Sequence, residues 1–295
     1  MNRVLVSLLS LLTVSACSSS RNIDSSSETS DYIEPVIEDG KNGDKLILTD
    51  KHLQNISLID GYLENTVPQI PDSIICAIDS VLAKAENDTA MMNFLTGYIF
   101  DKYFHLVDDS SDSGITGIEN IVIHIIDNYY LTGRAGGRDE EFMENIIEYA
   151  GKNRATLTGM QAKELKMETL DGGVKSLYDI DAPYTLICFF DASCSYCQYE
   201  IPEIYKIYQK FKNKGLAGFC VYTRDDKKEW LEFVSGYKLT DWINVWDPKN
   251  ENDYRIAYSL YIVPKVYVLD RNKKIAGREL DSASLSRLLN DLIKK

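Results

Sequence analysis

Between positions 46 and 152 apolar residues recur at helical spacing in four stretches. They are Ile74, Ile75, Ile78, Val81 and Leu82; Met92, Leu95, Ile99 and Tyr103; Ile118, Ile121, Val122, Ile125, Ile126 and Tyr129; and Phe142, Ile146, Ile147 and Tyr149. A stripe that repeats every three to four residues lies on one face of a helix, so the spacing predicts four helices, enough for a small bundle. Ser110 to Gly114 and Gly133-Arg134-Ala135-Gly136-Gly137 separate the later helices as loops.

Beyond this stretch the pattern changes to short apolar runs alternating with helical ones. Leu186-Ile187-Cys188-Phe189-Phe190, closed by Asp191-Ala192-Ser193, reads as a buried strand of a parallel sheet. Ile201, Ile204, Tyr208 and Phe211 then recur as a helix. Leu216 to Tyr222 is a second buried strand, Asp226 to Gly236 a helix, and Trp242 to Trp246 a short edge-like strand. Asn252 to Tyr261 reads as a helix leading into Pro264 and a strand through Leu269. A hairpin at Asp270 to Lys274 and an amphipathic helix with Leu285, Leu288, Leu289 and Leu292 end the chain. A length of 295 residues with 44% apolar composition allows two domains with real cores.

The chemistry sits where the first strand meets its helix. Cys194 and Cys197 form a C-x-x-C there, which places Cys194 at a helix N-terminus. Unpaired N–H groups and the helix dipole favour an anion at that place, and the thiolate is the form that attacks a disulfide. Cys197, one turn further in, is placed to resolve the mixed disulfide by closing a ring with Cys194. Half a zinc site has the same spacing, yet the chain has no second C-x-x-C and no histidine after His124, so no metal is expected. His105 and His124 read as packed or surface residues of the helices. Cys76, Cys188 and Cys220 fall inside apolar stretches and read as inert core thiols.

From Gly159 to Lys295 the order of strand, C-x-x-C, helix and proline-initiated strand resembles the thioredoxin superfamily, and within it the TlpA/ResA-like oxidoreductases. The resemblance implies an α/β thioredoxin-like fold over residues 155–295, preceded by a small all-α domain at 46–152. It makes Cys194 and Cys197 the redox pair and Pro264 a cis-proline facing it, with Val263, Ser195 and Tyr196 at the substrate. Glu200 and Pro202 complete C-x-x-C-x-x-E-x-P, and Glu200 is expected to take the proton that Cys197 loses. Leu170-Asp171-Gly172-Gly173 with Leu177 is similar to the extra N-terminal hairpin of that branch. Two positions depart from the pattern: Cys188 stands where thioredoxins carry a buried Asp, and Ser193 where a Trp usually precedes the first Cys. The helical stretch resembles a domain without assigned function that occurs in bacterial thioredoxin-like lipoproteins.

The first residues alter the cellular picture. Arg3 followed by the apolar Val4 to Val14 reads as an export signal, too short to span a bilayer. Val14-Ser15-Ala16-Cys17 resembles a lipobox, which implies cleavage after residue 16 and a lipid on Cys17. Ser, Asp and Glu dominate from Ser18 to Asp44, so residues 17–45 read as a flexible tether. A formal net charge of −13 argues against nucleic acid and anionic lipid as ligands.

Together these features predict a membrane-tethered thiol:disulfide oxidoreductase, lipid-anchored in the periplasm on a bacterial membrane. It acts on protein thiols and disulfides, exchanges electrons with a membrane-linked redox partner, and needs no cofactor. A binding lipoprotein with a thioredoxin-like scaffold is the alternative from another class, and a thiol peroxidase a third. The peroxidase reading lacks a Pro-Thr-x-x-Cys setting around Cys194.

Overall fold

A computed structural model of the chain describes residues 50–108 and 115–293. The export signal, Cys17, the tether and the Ser110–Gly114 loop lie outside the described residues. The chain divides into two compact units, one ending at Asp139 and the other beginning at Glu140.

The first unit is helical: α1 spans Asp50–Asn65, α2 Pro71–Leu82, α3 Thr89–Asp108 and α4 Ile118–Ile125. A π-helical turn, Ile126–Tyr130, extends α4. Pro71 opens α2, where its missing N–H is one that the first turn cannot use. The stripes face inward as their spacing requires: Ile74, Ile78, Leu82, Leu95, Ile99, Ile121, Val122 and Ile125 are all buried. Helix α1 is an addition to the four expected helices. It is fixed to α3 by polar contacts, with Tyr98 Oη donating to Asp60 at 2.5 Å and Lys102 Nζ 2.7 Å from the same carboxylate. His124 is packed, its Nε2 2.8 Å from Asp79 Oδ1, which also accepts from Tyr129 Oη at 2.7 Å.

Helix α5, Glu140–Asn153, opens the second unit. Its periodicity groups it with the preceding helices, yet it belongs to the same compact unit as the sheet. The sheet order is β2-β1-β5-β4-β3-β6-β7, built from β1 Lys166–Thr169, β2 Val174–Ser176, β3 Tyr184–Phe190, β4 Leu216–Tyr222, β5 Ile243–Trp246, β6 Lys265–Asp270 and β7 Ile275–Gly277. Helices α6 Ser195–Phe211, α7 Lys227–Gly236 and α9 Ser282–Ile293 accompany it. This is a thioredoxin-like fold.

Three expectations need correction. The sheet is mixed, because β3 runs parallel to β4 but antiparallel to β6. Strand β5 is interior: the β1–β2 hairpin pairs antiparallel along its outer side. The helix expected over Asn252–Tyr261 shrinks to one turn, α8 Tyr254–Ala257, because Asp253 (φ 47°) and Ser259 (φ 49°) adopt left-handed backbone on either side of it.

Alternation along β3 sends Leu186, Cys188 and Phe190 to one face and Ile187 and Phe189 to the other. The first face carries α6, α7 and α9 through Ile201, Ile204, Trp230, Phe233, Leu285 and Leu289. All three tryptophans of the chain, Trp230, Trp242 and Trp246, are buried there. Gly218 in β4 is required for this packing, since a Cβ at that position would lie 2.4 Å from Trp242. No long helix covers the opposite face among the described residues. Phe189 instead holds a tyrosine layer, stacked on Tyr254 at 5.7 Å and tilted against Tyr258 at 5.0 Å.

Candidate active site

Cys194 is the N-cap of α6, with extended backbone (φ −74°, ψ 119°). Its N–H donates to Asp191 O at 3.2 Å and its carbonyl accepts from Gln198 N at 3.0 Å, so the turn out of β3 holds it at the helix start. Both cysteines of the pair are free thiols here. Cys194 is half-buried, whereas Cys197, one turn inward, is 0% exposed. Burial pushes the Cys197 thiol well up. The Asp191 backbone opposes that, while the Cys194 and Cys188 thiols beside it add to the rise.

The loop before β6 reaches the same place. The Val263–Pro264 peptide bond is cis, and the Cys194 thiol lies 3.8 Å from Val263 O. Val263 packs against both cores, which anchors the loop between the two faces of the sheet. Ser195 and Tyr196 are exposed on the first turn of α6, beside this opening. Tyr199, Tyr261 and Ile262 are exposed as well, at 69%, 63% and 74%.

Glu200 sits on α6 one turn beyond Cys197 and is buried. One of its carboxylate oxygens accepts the N–H of Ser282, the first residue of α9, and a carboxylate is favoured at a helix N-terminus. Cys188 lies under the pair in the core and faces Cys220 across the β3–β4 register. Burial pushes the Cys220 thiol well up, and Cys188 adds to it, so a nucleophilic thiolate is disfavoured there. Cys76 is partly buried on α2 of the first unit.

Asp191, which the sequence marked only as a strand end, organises the loop. One of its oxygens accepts from Ser193 N at 2.9 Å and Ser193 Oγ at 2.7 Å, and the other from Arg224 Nε at 2.6 Å. Burial acts to raise this carboxyl, but the hydrogen bonds from Ser193 and Arg224 together with the Arg224 charge outweigh it and hold it below its ordinary range. A carboxyl depressed in the folded state contributes stability above its unfolded pKa and loses it as pH falls through the folded value. Asp191→Asn therefore lowers the urea midpoint at neutral pH, and the gap to wild type closes below about pH 4. A gap that persists at low pH would show that the carboxylate charge is not what matters. The signal for Arg224 was its place just after β4, since the carboxyl ends of adjacent parallel strands are where α/β sites form.

Residues 158–278 match the AhpC/TSA family. A domain of a possible thiol-disulfide isomerase from Cytophaga hutchinsonii is 36% identical, with 47% of this chain and 94% of that domain covered, at a TM-score of 0.44. The thioredoxin domain of a thiol-disulfide oxidoreductase from Bacteroides vulgatus is 28% identical over 46% of this chain and 97% of that one, at a TM-score of 0.44. A thioredoxin-like protein from Bacteroides caccae shares the fold over a longer span, 80% of either chain at 18% identity and a TM-score of 0.55. Among curated proteins none matches. The family match spans the sheet, the C-x-x-C turn and the cis-proline loop, so this part of the chain is similar to the AhpC/TSA family and has the thioredoxin-like fold.

Proposed function

We propose that the protein is an extracytoplasmic thiol:disulfide oxidoreductase, held to a membrane by a lipid on Cys17. One observation carries the reading: a half-buried thiol at a helix N-terminus, 3.8 Å from the Val263 carbonyl, has a fully buried second thiol one turn behind it. The Cys194 thiolate attacks a disulfide, forms a mixed disulfide and releases one substrate thiol. Cys197 loses its proton and attacks Cys194 Sγ. The ring disulfide closes, the second substrate thiol leaves, and two electrons have passed to the substrate. Run from the ring disulfide, the same exchange oxidises a substrate dithiol.

Val263 supplies backbone N–H and C=O groups to an extended substrate segment as a short added strand, with Pro264, Ser195 and Tyr196 around it. Glu200 accepts the Cys197 proton, replacing the acid that is absent at Cys188. Export rests on Arg3 to Cys17, and none of the described helices is long and apolar enough to cross a membrane. Protein disulfides and a membrane-linked redox partner are the expected correspondents.

The test is timed alkylation of the reduced protein with mass spectrometry. Cys194 is labelled fast and Cys76, Cys188, Cys197 and Cys220 slowly; equal, slow labelling of all five removes the reading. In a peptide-disulfide assay Glu200→Gln slows turnover about tenfold to a hundredfold. An unchanged rate leaves Glu200 as the cap of α9.

A further inference from the structure

The strand after the cis-proline begins with a buried charge. Lys265 is 7% exposed in a strand whose next four residues, Val266 to Leu269, are apolar and fully buried. A lysine there is costly unless paired, and packing alone does not call for it. Its Nζ donates to Ser259 O at 2.8 Å and lies 2.9 Å from Glu279 Oε1. Arg278, also 7% exposed, donates to Glu279 and, at 2.5 Å, to Asn153 Oδ1. Ser259 Oγ donates to Lys152 O, which returns the chain of contacts to the last turn of α5. The result is a closed ring through α5, Ser259, Lys265, Glu279 and Arg278. Above it, Lys152 Nζ lies 5.1 Å over the ring of Tyr261.

Two members of the ring are left-handed without being glycine, Ser259 at φ 49° and Glu279 at φ 51°. Such backbone persists only where its surroundings over-determine it, and it gathers at sites that need one geometry. Buried ionic groups contribute little net stability against apolar replacements but can fix a single arrangement. The arrangement fixed here is that of Ser259 to Val263, bounded by the ring on one side and by the Cys194 contact on the other.

We propose that Lys265, Glu279 and Arg278 are positioning residues that lock the Ser259–Val263 segment to the end of α5, set the Val263 backbone opposite Cys194, and so select extended polypeptide disulfides over small ones. This rests on the oxidoreductase reading. A polypeptide pairs with the Val263 backbone and uses its alignment; a small aromatic disulfide reaches Cys194 Sγ without it. Misplacement by about 1 Å costs up to a hundredfold in an aligned reaction, so loosening the ring separates the two substrates.

The experiment uses the full chain and two probes, a disulfide-bonded peptide and 5,5′-dithiobis(2-nitrobenzoate). Glu279→Gln and Lys265→Met raise KM for the peptide roughly tenfold and leave the rate with the small disulfide unchanged, while Lys265→Arg restores the peptide KM. Ser259→Ala, which leaves the buried charges in place, shows the same separation in smaller size and serves if the charge variants fail to unfold cooperatively. Equal losses with both probes, or no change with either, overturn the proposal while the oxidoreductase reading stands. A wild-type protein that exchanges with neither probe overturns that reading, and the proposal with it.

Discussion

Cys197→Ser protein accumulates a long-lived mixed disulfide with its substrate, whereas Cys194→Ser protein forms none and loses at least about a thousandfold in turnover. The asymmetry comes from burial. Cys194 is reachable at the start of α6, while Cys197 is 0% exposed and its thiol is held well up by burial. An incoming disulfide therefore meets Cys194 first, and the sulfur open to Cys197 is that of Cys194. With Cys197 gone the first exchange still occurs and the second does not. Non-reducing electrophoresis and intact mass measure the adduct, and peptide-disulfide reduction measures the turnover. Cys194→Ser protein with wild-type turnover would sink the assignment of the nucleophile.

Phe189→Ala costs about 3–5 kcal/mol, the usual range for removing a fully buried phenylalanine. The ring is 0% exposed and touches Tyr254, Tyr258 and Tyr267 at centroid distances of 5.7, 5.0 and 6.4 Å. On this face no long helix among the described residues can shift to fill the space, because the cover is a single turn and its flanking loop. The same tyrosines lead directly to Ser259 and the cis-proline loop, so the variant is expected to slow peptide turnover even where it remains folded. Urea unfolding measures the cost, with Phe189→Leu as the milder comparison. A loss under about 1 kcal/mol would mean that the tyrosine layer collapses onto the gap.

The features legible in the chain itself are local. The Leu186–Phe190 strand, the cysteines at a helix start, and a strand opening at Pro264 are each written in fewer than ten consecutive residues, where periodicity and turn chemistry act. Those that escape a reading of the chain depend on partners far along it. Helix α1 has a sparse stripe, with Ile59 and Leu63 buried but Leu58 48% exposed, and its polar anchors to Tyr98 and Lys102 come from another helix. Strand β5 looks like an edge because nothing local announces that β1 pairs with it. Asp191 with Arg224, and Lys265 with Glu279, are ordinary charges until the fold brings them together.

The tryptophans make the two units optically distinct. All three lie in the core of the second unit, Trp230 stacked on Tyr222 at 5.9 Å and tilted against Trp246 at 5.4 Å, and the first unit has none. Emission excited at about 295 nm therefore reports the sheet alone, because tyrosine absorbs little there, while far-ultraviolet ellipticity is weighted toward the helices of both. With Ser193 in front of Cys194, no indole adjoins the redox pair in sequence, and the three tryptophans share their core with Cys197, so the unfolding curves are compared at one fixed redox state. Unfolding monitored by both signals at once separates a chain that melts as one body from one whose helical unit opens on its own.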